Sequence, residues 1–280
     1  MKIFKEYIFT IFILIIILSL LFNKLIDGSY IFTSGDTLSP IAIKNSILNY
    51  NSFPYWFPWI FGGMPTVHSL MNVSNYYFPH YLMLWLNNLG VPWFWYFIFH
   101  LSFGGFGMYT LLKFLNQSKF SSIFGAILFM LSPYMITMTA FGHGSQMMAS
   151  AYIPWIILFI FRIYDRNKII DYAIFSLLVG LQLLRAHIQI SYYTWMMIGL
   201  FILLSIYCFL REDIVLIKQI LIKKINFFIS LILGVLISLS LYYPVLNYSI
   251  HSTRGSINGG VGIDYATQWS MSIKEFITFF

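Results

Sequence analysis

The chain has 280 residues, of which 59% are hydrophobic, 20% aromatic and only 9% charged. Soluble domains carry roughly 25% charged residues, so this composition excludes a soluble enzyme and a disordered chain, and the single cysteine, Cys208, excludes a disulfide scaffold. What remains is an integral membrane protein with several spans, in which a formal net charge of +7 reads as Lys and Arg of cytoplasmic loops rather than as a nucleic-acid surface.

Charges punctuate long uncharged stretches and predict seven spans, at about 7–26, 92–114, 120–138, 148–163, 169–185, 189–210 and 225–245. Each is near the roughly 20 apolar residues that a bilayer crossing needs. The first has a basic start, Lys2 and Lys5, but no small-residue cleavage site follows it. Phe22-Asn23-Lys24-Leu25 stands there instead, so it reads as an uncleaved anchor. Residues 27–91 form a large first outer loop. Within it Tyr50–Thr66 is dense in Trp, Tyr, Phe and Pro, side chains that favour the headgroup layer. Short interfacial helices are expected there, one of them over Ile41–Leu48. Ser132-Pro133 and Gly142-His143-Gly144 break the uncharged run of residues 120–161. With the N-terminus inside, 11 basic residues fall on the cytoplasmic side and 5 outside, which sets the orientation. Arg211–Lys224 reads as a basic amphipathic strip on the inner leaflet. The expected architecture is an all-α integral membrane protein, a polytopic helix bundle occupying residues 1–280. Residues 246–280 are its last outer segment. Ser270–Phe280 reads as the start of a further element, so an N-terminal fragment with a missing C-terminal part is expected.

Ionisable groups near a membrane are costly and mark function. Five of six histidines fall on the outer half: His68, His80, His143, His187 and His251. His100, inside the second span, reads as a packed histidine bonded to a neighbouring helix. Asp36, just past the first span, suits a general base that activates a hydroxyl acceptor; equally, Asp36 or Thr37 suits a helix N-cap. In Gly142-His143-Gly144-Ser145-Gln146 the glycines let backbone approach a ligand closely, or simply make an interhelical turn. Arg185, with His187 and Gln189, suits a lipid-linked phosphate through its bidentate fork, or snorkels to headgroups. Arg254, in His251-Ser252-Thr253-Arg254, offers a second outer cation. No His-x-x-x-His spacing is present, and a divalent metal is left open. A base beside cations at the outer ends of spans suits chemistry on a lipid phosphate ester.

Several motifs carry a resemblance: Gly35-Asp36 with Pro58-Trp59-Ile60-Phe61-Gly62-Gly63-Met64-Pro65; Phe141-Gly142-His143; Ala186-His187-Ile188-Gln189-Ile190-Ser191-Tyr192-Tyr193; and, near the end of the chain, Gln268-Trp269-Ser270-Met271-Ser272. Together they resemble the bacterial YfhO family, whose members are similar to GT-C glycosyltransferases. The resemblance implies a multi-pass protein of the bacterial cytoplasmic membrane. It implies transfer of a sugar from a polyprenyl-phosphate carrier to an envelope polymer such as teichoic acid, on the outer face. It places the catalytic acid at Asp36 and the lipid phosphate at Arg185, His187 and Arg254. We add His143, Gln146 and Gln189 as a sugar or acceptor pocket. The chain departs from many GT-C enzymes in lacking a second acid close to Asp36; Asp27 is nine residues earlier. A lipid transporter or flippase, and a non-catalytic membrane scaffold, are the competing readings.

Overall fold

The computed structural model describes residues 2–46, 54–59, 62–70, 73–209, 214–252, 262–268, 270 and 272–277. Among them the chain is almost wholly helical, with one two-residue strand pair. It forms two compact units, one of residues 1–54 and 72–240, the other of residues 55–71 and 241–280.

The first unit is a helix bundle. Its elements are α1 (Lys2–Leu21), α2 (Gly35–Ser46), α3 (Phe78–Asn88), α4 (Trp95–Phe114), α5 (Lys119–Met130), α6 (Pro133–Ala140), α7 (Gly144–Ala151), α8 (Ile153–Arg166), α9 (Ile169–Leu184), α10 (Ile188–Phe209) and α11 (Ile214–Ile237). Each of the seven stretches expected to span coincides with one or two of these helices. Phe4–Leu21, Lys119–Ala140 and Gly144–Arg166 are long and apolar enough to cross a membrane, and Ile225–Ile237 with Leu239–Ser249 makes a fourth if taken as one broken span. The outward faces agree. Phe4, Phe12, Ile16 and Leu20 of α1, and Phe124 and Leu128 of α5, are all exposed, as suits helices that face lipid. The chain is a helical membrane protein.

Aromatic α4 is the centre of the bundle. Glycines let its neighbours close in: Gly104 meets Ala151 and Phe129, Gly105 meets Met130, and a Cβ on Gly107 would collide with the Trp155 ring at 2.6 Å. Trp155 Nε1 donates to Phe103 O at 2.9 Å. Small residues serve the same end where α9 crosses α11, with Gly180 against Ile237 and Gly234 against Val179. There Ser176 Oγ lies 2.7 Å from Ser230 O, so a hydroxyl bridges the two helices in place of a larger apolar contact.

Local expectations change at three places. The helix expected from Ile41 begins earlier, as α2 from Gly35. Residues 214–224 of the basic strip do not form a separate surface helix, because α11 runs unbroken from Ile214 to Ile237. The aromatic stretch of the second unit holds an antiparallel hairpin instead of a helix, with Trp56 opposite Pro65 and Phe57 opposite Met64. Pro58 lacks a backbone donor and Gly62 and Gly63 have φ of +75 and +120, which suits a turn and not a helix. The Trp56 ring lies over Gly63, where any Cβ would clash at 2.5 Å. The second unit also holds most of α12 (Leu239–Ser249) and two short helices, α13 (Ile263–Thr267) and α14 (Ile273–Ile277). Within it the His68 and Tyr248 rings lie 5.2 Å apart.

The two ends of the bundle differ chemically. At one, Tyr109 donates to Glu6 at 2.6 Å and Arg162 pairs with buried Asp171 at 2.7 Å. Arg166 and Lys119 cover the Phe114 and Phe9 rings. At the other, the start of α2 meets the α6–α7 turn, and Arg185 at the end of α9 reaches Ser145 at the start of α7.

Candidate functional site

Asp36 is in the first turn of α2, but it is not the cap. Ser34 takes that role, its Oγ accepting from Thr37 N at 3.3 Å and lying 2.7 Å from Thr37 Oγ1. A serine one residue before the helix satisfies the orphan amide, which leaves the Asp36 carboxylate free beside the positive helix end. Thr37 Oγ1 donates to Ala140 O at 3.3 Å and so ties α2 to the end of α6.

The chain reverses at Gly142, with φ of +89. A Cβ there would sit 2.3 Å from the Asp36 carbonyl carbon and 2.5 Å from Thr37 N. The glycine thus lets two backbones touch, and it brings His143 to Asp36. His143 Nε2 is 3.4 Å from Asp36 Oδ2, with side chains 47% and 69% exposed. Both groups are open to an incoming molecule, and an exposed pair of this kind adds little stability. Gly144 packs its backbone on the Phe97 ring, where a Cβ would lie 2.5 Å from the nearest ring carbon. The two glycines make a close interhelical turn, the plainer of the two expectations, and the turn still presents a histidine to a carboxylate.

Arg185 caps the C-terminus of α9 and is followed by Ala186 in the left-handed region, φ +56. Glycine is usual there because an L side chain costs about 1 kcal/mol. Arg185 does not snorkel. It is 4% exposed and turns into the bundle. Nη1 donates to Tyr96 Oη at 3.3 Å and Nη2 to Ser145 Oγ at 2.8 Å. The guanidinium lies 4.6 Å from the Tyr77 ring centroid. Nε is buried with no hydrogen-bond partner. Among the described residues no carboxylate lies within ion-pairing distance of it; the ion pairs are those of His143, Arg162 and Arg166. A buried charge of one sign without a counter-ion is costly, and it is what an anion would meet.

Two half-buried histidines belong to this end of the bundle, and one of them, His80, feels the field of Arg185. His80 packs edge-on to Trp93 and Tyr96, and burial followed by the field of Arg185 holds its imidazole below the ordinary pKa. His187 is lowered too, by burial and then by His143. His80 Nδ1 and His187 Nδ1 are buried without hydrogen-bond partners. Gln146 donates to Tyr134 Oη at 2.7 Å, and Gln189 donates to Tyr193 of its own helix at 2.8 Å. Arg254 lies outside the described residues.

The fold thus brings Asp36 to His143, and Arg185 to Ser145 two residues further on. Sequence reading missed Tyr77, Tyr96 and Tyr152, which close around Arg185. In a chain with 20 tyrosines nothing local distinguishes these three. His100 does bond outside its own helix, to Tyr77 of the loop before α3 at 2.8 Å.

A cavity of about 890 Å³ lies at the opposite end, lined among others by Glu6, Lys113, Arg162, Asp165 and Arg166. Volume and chemistry therefore point to different ends. We place the site by chemistry, because the cations lining that cavity include two paired with acids, Arg162 with Asp171 and Arg166 with Asp165, whereas Arg185 has none. Among the described residues no three His, Cys, Asp or Glu side chains are placed to hold a metal ion. The chain matches no family model, no curated protein and no solved structure.

Proposed function

We propose that this protein is a membrane glycosyltransferase of the GT-C type, related to the YfhO proteins it resembles. It moves a sugar from a polyprenyl-phosphate carrier to an acceptor hydroxyl of an envelope polymer. The observation that carries the reading is the buried, uncompensated guanidinium of Arg185 next to an exposed carboxylate–imidazole pair. In the proposed reaction Asp36 accepts the proton of the acceptor hydroxyl, and His143 orients the carboxylate. The acceptor oxygen attacks the anomeric carbon as the bond to the phosphate oxygen breaks. The lipid phosphate leaves with a negative charge that Arg185 stabilises from a low-dielectric site. We assign half-buried His187, two residues after Arg185, as a further donor to that phosphate. We also assign the Asp36 end to the outer face and all seven helical stretches to spans, since basic residues crowd the other end.

The test is transfer of a radiolabelled sugar from a polyprenyl-phosphate donor by the protein in liposomes. Asp36→Asn keeps the shape and loses the base, and transfer should fall about 10²- to 10⁴-fold. Unchanged transfer sinks the assignment of Asp36. Movement of the intact labelled donor across the liposome membrane with no transfer to acceptor, abolished by Arg185→Gln and unaffected by Asp36→Asn, would favour a carrier of the lipid phosphate instead.

A further inference from the structure

Arg185 raises a physical question: what holds a guanidinium inside a membrane bundle without a carboxylate? The answer lies in four residues from three parts of the chain, Tyr77, the α4 pair Tyr96 and His100, and Tyr152. His100 Nδ1 is 2.7 Å from Tyr96 O. A carbonyl only accepts, so Nδ1 carries the hydrogen, and in the neutral imidazole Nε2 is left as the acceptor. Tyr77 Oη, 2.8 Å away, therefore donates to Nε2. Its one hydrogen is then used, so the Tyr152 hydroxyl, which also contacts Tyr77 Oη, is the donor in that bond. Tyr77 is fully buried and is gripped at its oxygen from both sides. Its ring face is thereby fixed under the Arg185 guanidinium. Tyr96 closes the circuit, accepting from Arg185 with its hydroxyl and from His100 with its carbonyl.

We infer that Tyr77 is the positioning residue of the anion site, holding Arg185 through its ring face, with His100 and Tyr152 locking the ring. This rests on Arg185 being the phosphate-holding group proposed above. The physical advantage is specific. A carboxylate would hold the guanidinium and cancel its charge. An aromatic face attracts the cation through its quadrupole and leaves the full charge for an incoming phosphate. The unbonded Nε is the donor kept in reserve.

The test uses the purified full chain in detergent with farnesyl phosphate as probe and farnesol as the uncharged control, followed by calorimetry. Tyr77→Phe and Tyr77→Leu both lose the hydroxyl and both keep an apolar side chain, but only Phe keeps a ring face; the farnesol control reads any general effect of the smaller leucine. Tyr77→Phe should weaken farnesyl phosphate binding about threefold through loss of the lock. Tyr77→Leu should weaken it about 30-fold, with farnesol unaffected by either. Equal weakening by Phe and Leu, or none by either, overturns the inference. If Tyr77→Leu does not fold, Tyr152→Phe decides: it removes only the donor to Tyr77 and should cost about threefold, and unchanged affinity overturns the lock. Arg185→Gln separates the two ideas. If it leaves farnesyl phosphate affinity unchanged, the phosphate reading itself fails. If it abolishes binding while the Tyr77 series is flat, only the inference about Tyr77 fails.

Discussion

Replacing Gly142 by alanine tests whether the α6–α7 turn sets the position of Asp36. The new Cβ would lie 2.3 Å from the Asp36 carbonyl carbon and 2.7 Å from its oxygen. Carbon atoms rest at about 3.5 Å or more, so backbone must move by about 1 Å. An L residue at φ +89 costs a further ~1–2 kcal/mol. Displacing α2 also breaks the Thr37–Ala140 bond, worth about 1 kcal/mol. About 2–3 kcal/mol thus falls on the docking of the first turn of α2. That turn lies on the surface, whereas the packing of α4 against α5, α7 and α8 does not involve it, so the bundle should still fold. Thermal unfolding in detergent checks this. Catalysis should suffer more than stability, because a 1 Å misplacement of a reacting group costs about 10²-fold. The assay is sugar transfer in liposomes by Gly142→Ala, Asp36→Asn and the double variant. If Asp36 acts only where the turn holds it, the double variant should be little worse than Asp36→Asn. Transfer by Gly142→Ala within about threefold of the parent, with Asp36→Asn inactive, would refute the claim that this turn positions the base.

Arg185→Met should abolish phosphate-ligand binding and yet leave the melting temperature equal or higher, since it removes a buried charge that lacks a counter-ion; a marked fall in melting temperature would contradict that account. Asp171→Ala should destabilise by about 3 kcal/mol, because it strands the mostly buried Arg162 beside an apolar core; denaturation in detergent measures it, and a loss under about 1 kcal/mol would contradict the prediction. His80 and His187 have lowered folded pKa values, so the unfolded chain binds more protons. Stability should be full above the ordinary imidazole pKa of about 6.5 and be lost as pH falls through the lowered values. A melting-temperature profile of His80→Gln and His187→Asn should be flatter below that pH than the parent's, and an unchanged acid limb would exclude these two groups as its source.

Much of the fold was legible in the sequence because a bilayer imposes a one-dimensional rule. Backbone in hydrocarbon must satisfy its own hydrogen bonds, which a long apolar segment does by forming a helix, so uncharged stretches map onto helices one by one, as α4, α9 and α10 show. The rule weakens at breaks and surfaces. Ser132-Pro133 ends α5 and starts α6, Ser132 capping the latter with a 3.4 Å bond from Met135 N, yet the chain reverses only at Gly142. The basic strip before residue 225 carries enough charge to suggest a surface helix, but nothing in residues 214–224 stops helix propagation, and α11 begins at Ile214. The aromatic stretch of residues 50–66 has the composition of an interfacial segment, but its prolines and paired glycines decide for a hairpin.

The candidate site divides the same way. Asp36, His143 and Arg185 were legible because a charge or an imidazole beside apolar spans is rare enough to be conspicuous. Composition and charge placement therefore determined a helical membrane protein and the few polar groups worth attention. What only the tertiary structure decided is their state. Local sequence does not say whether an arginine at a helix end reaches out to headgroups or turns inward. That depends on Tyr77, Tyr96 and Ser145, which lie 108, 89 and 40 residues from it along the chain. The inward turn, and the unpaired buried charge it creates, exist because packing brings those three side chains to one point, and the free energy of a buried charge is set by what surrounds it in space.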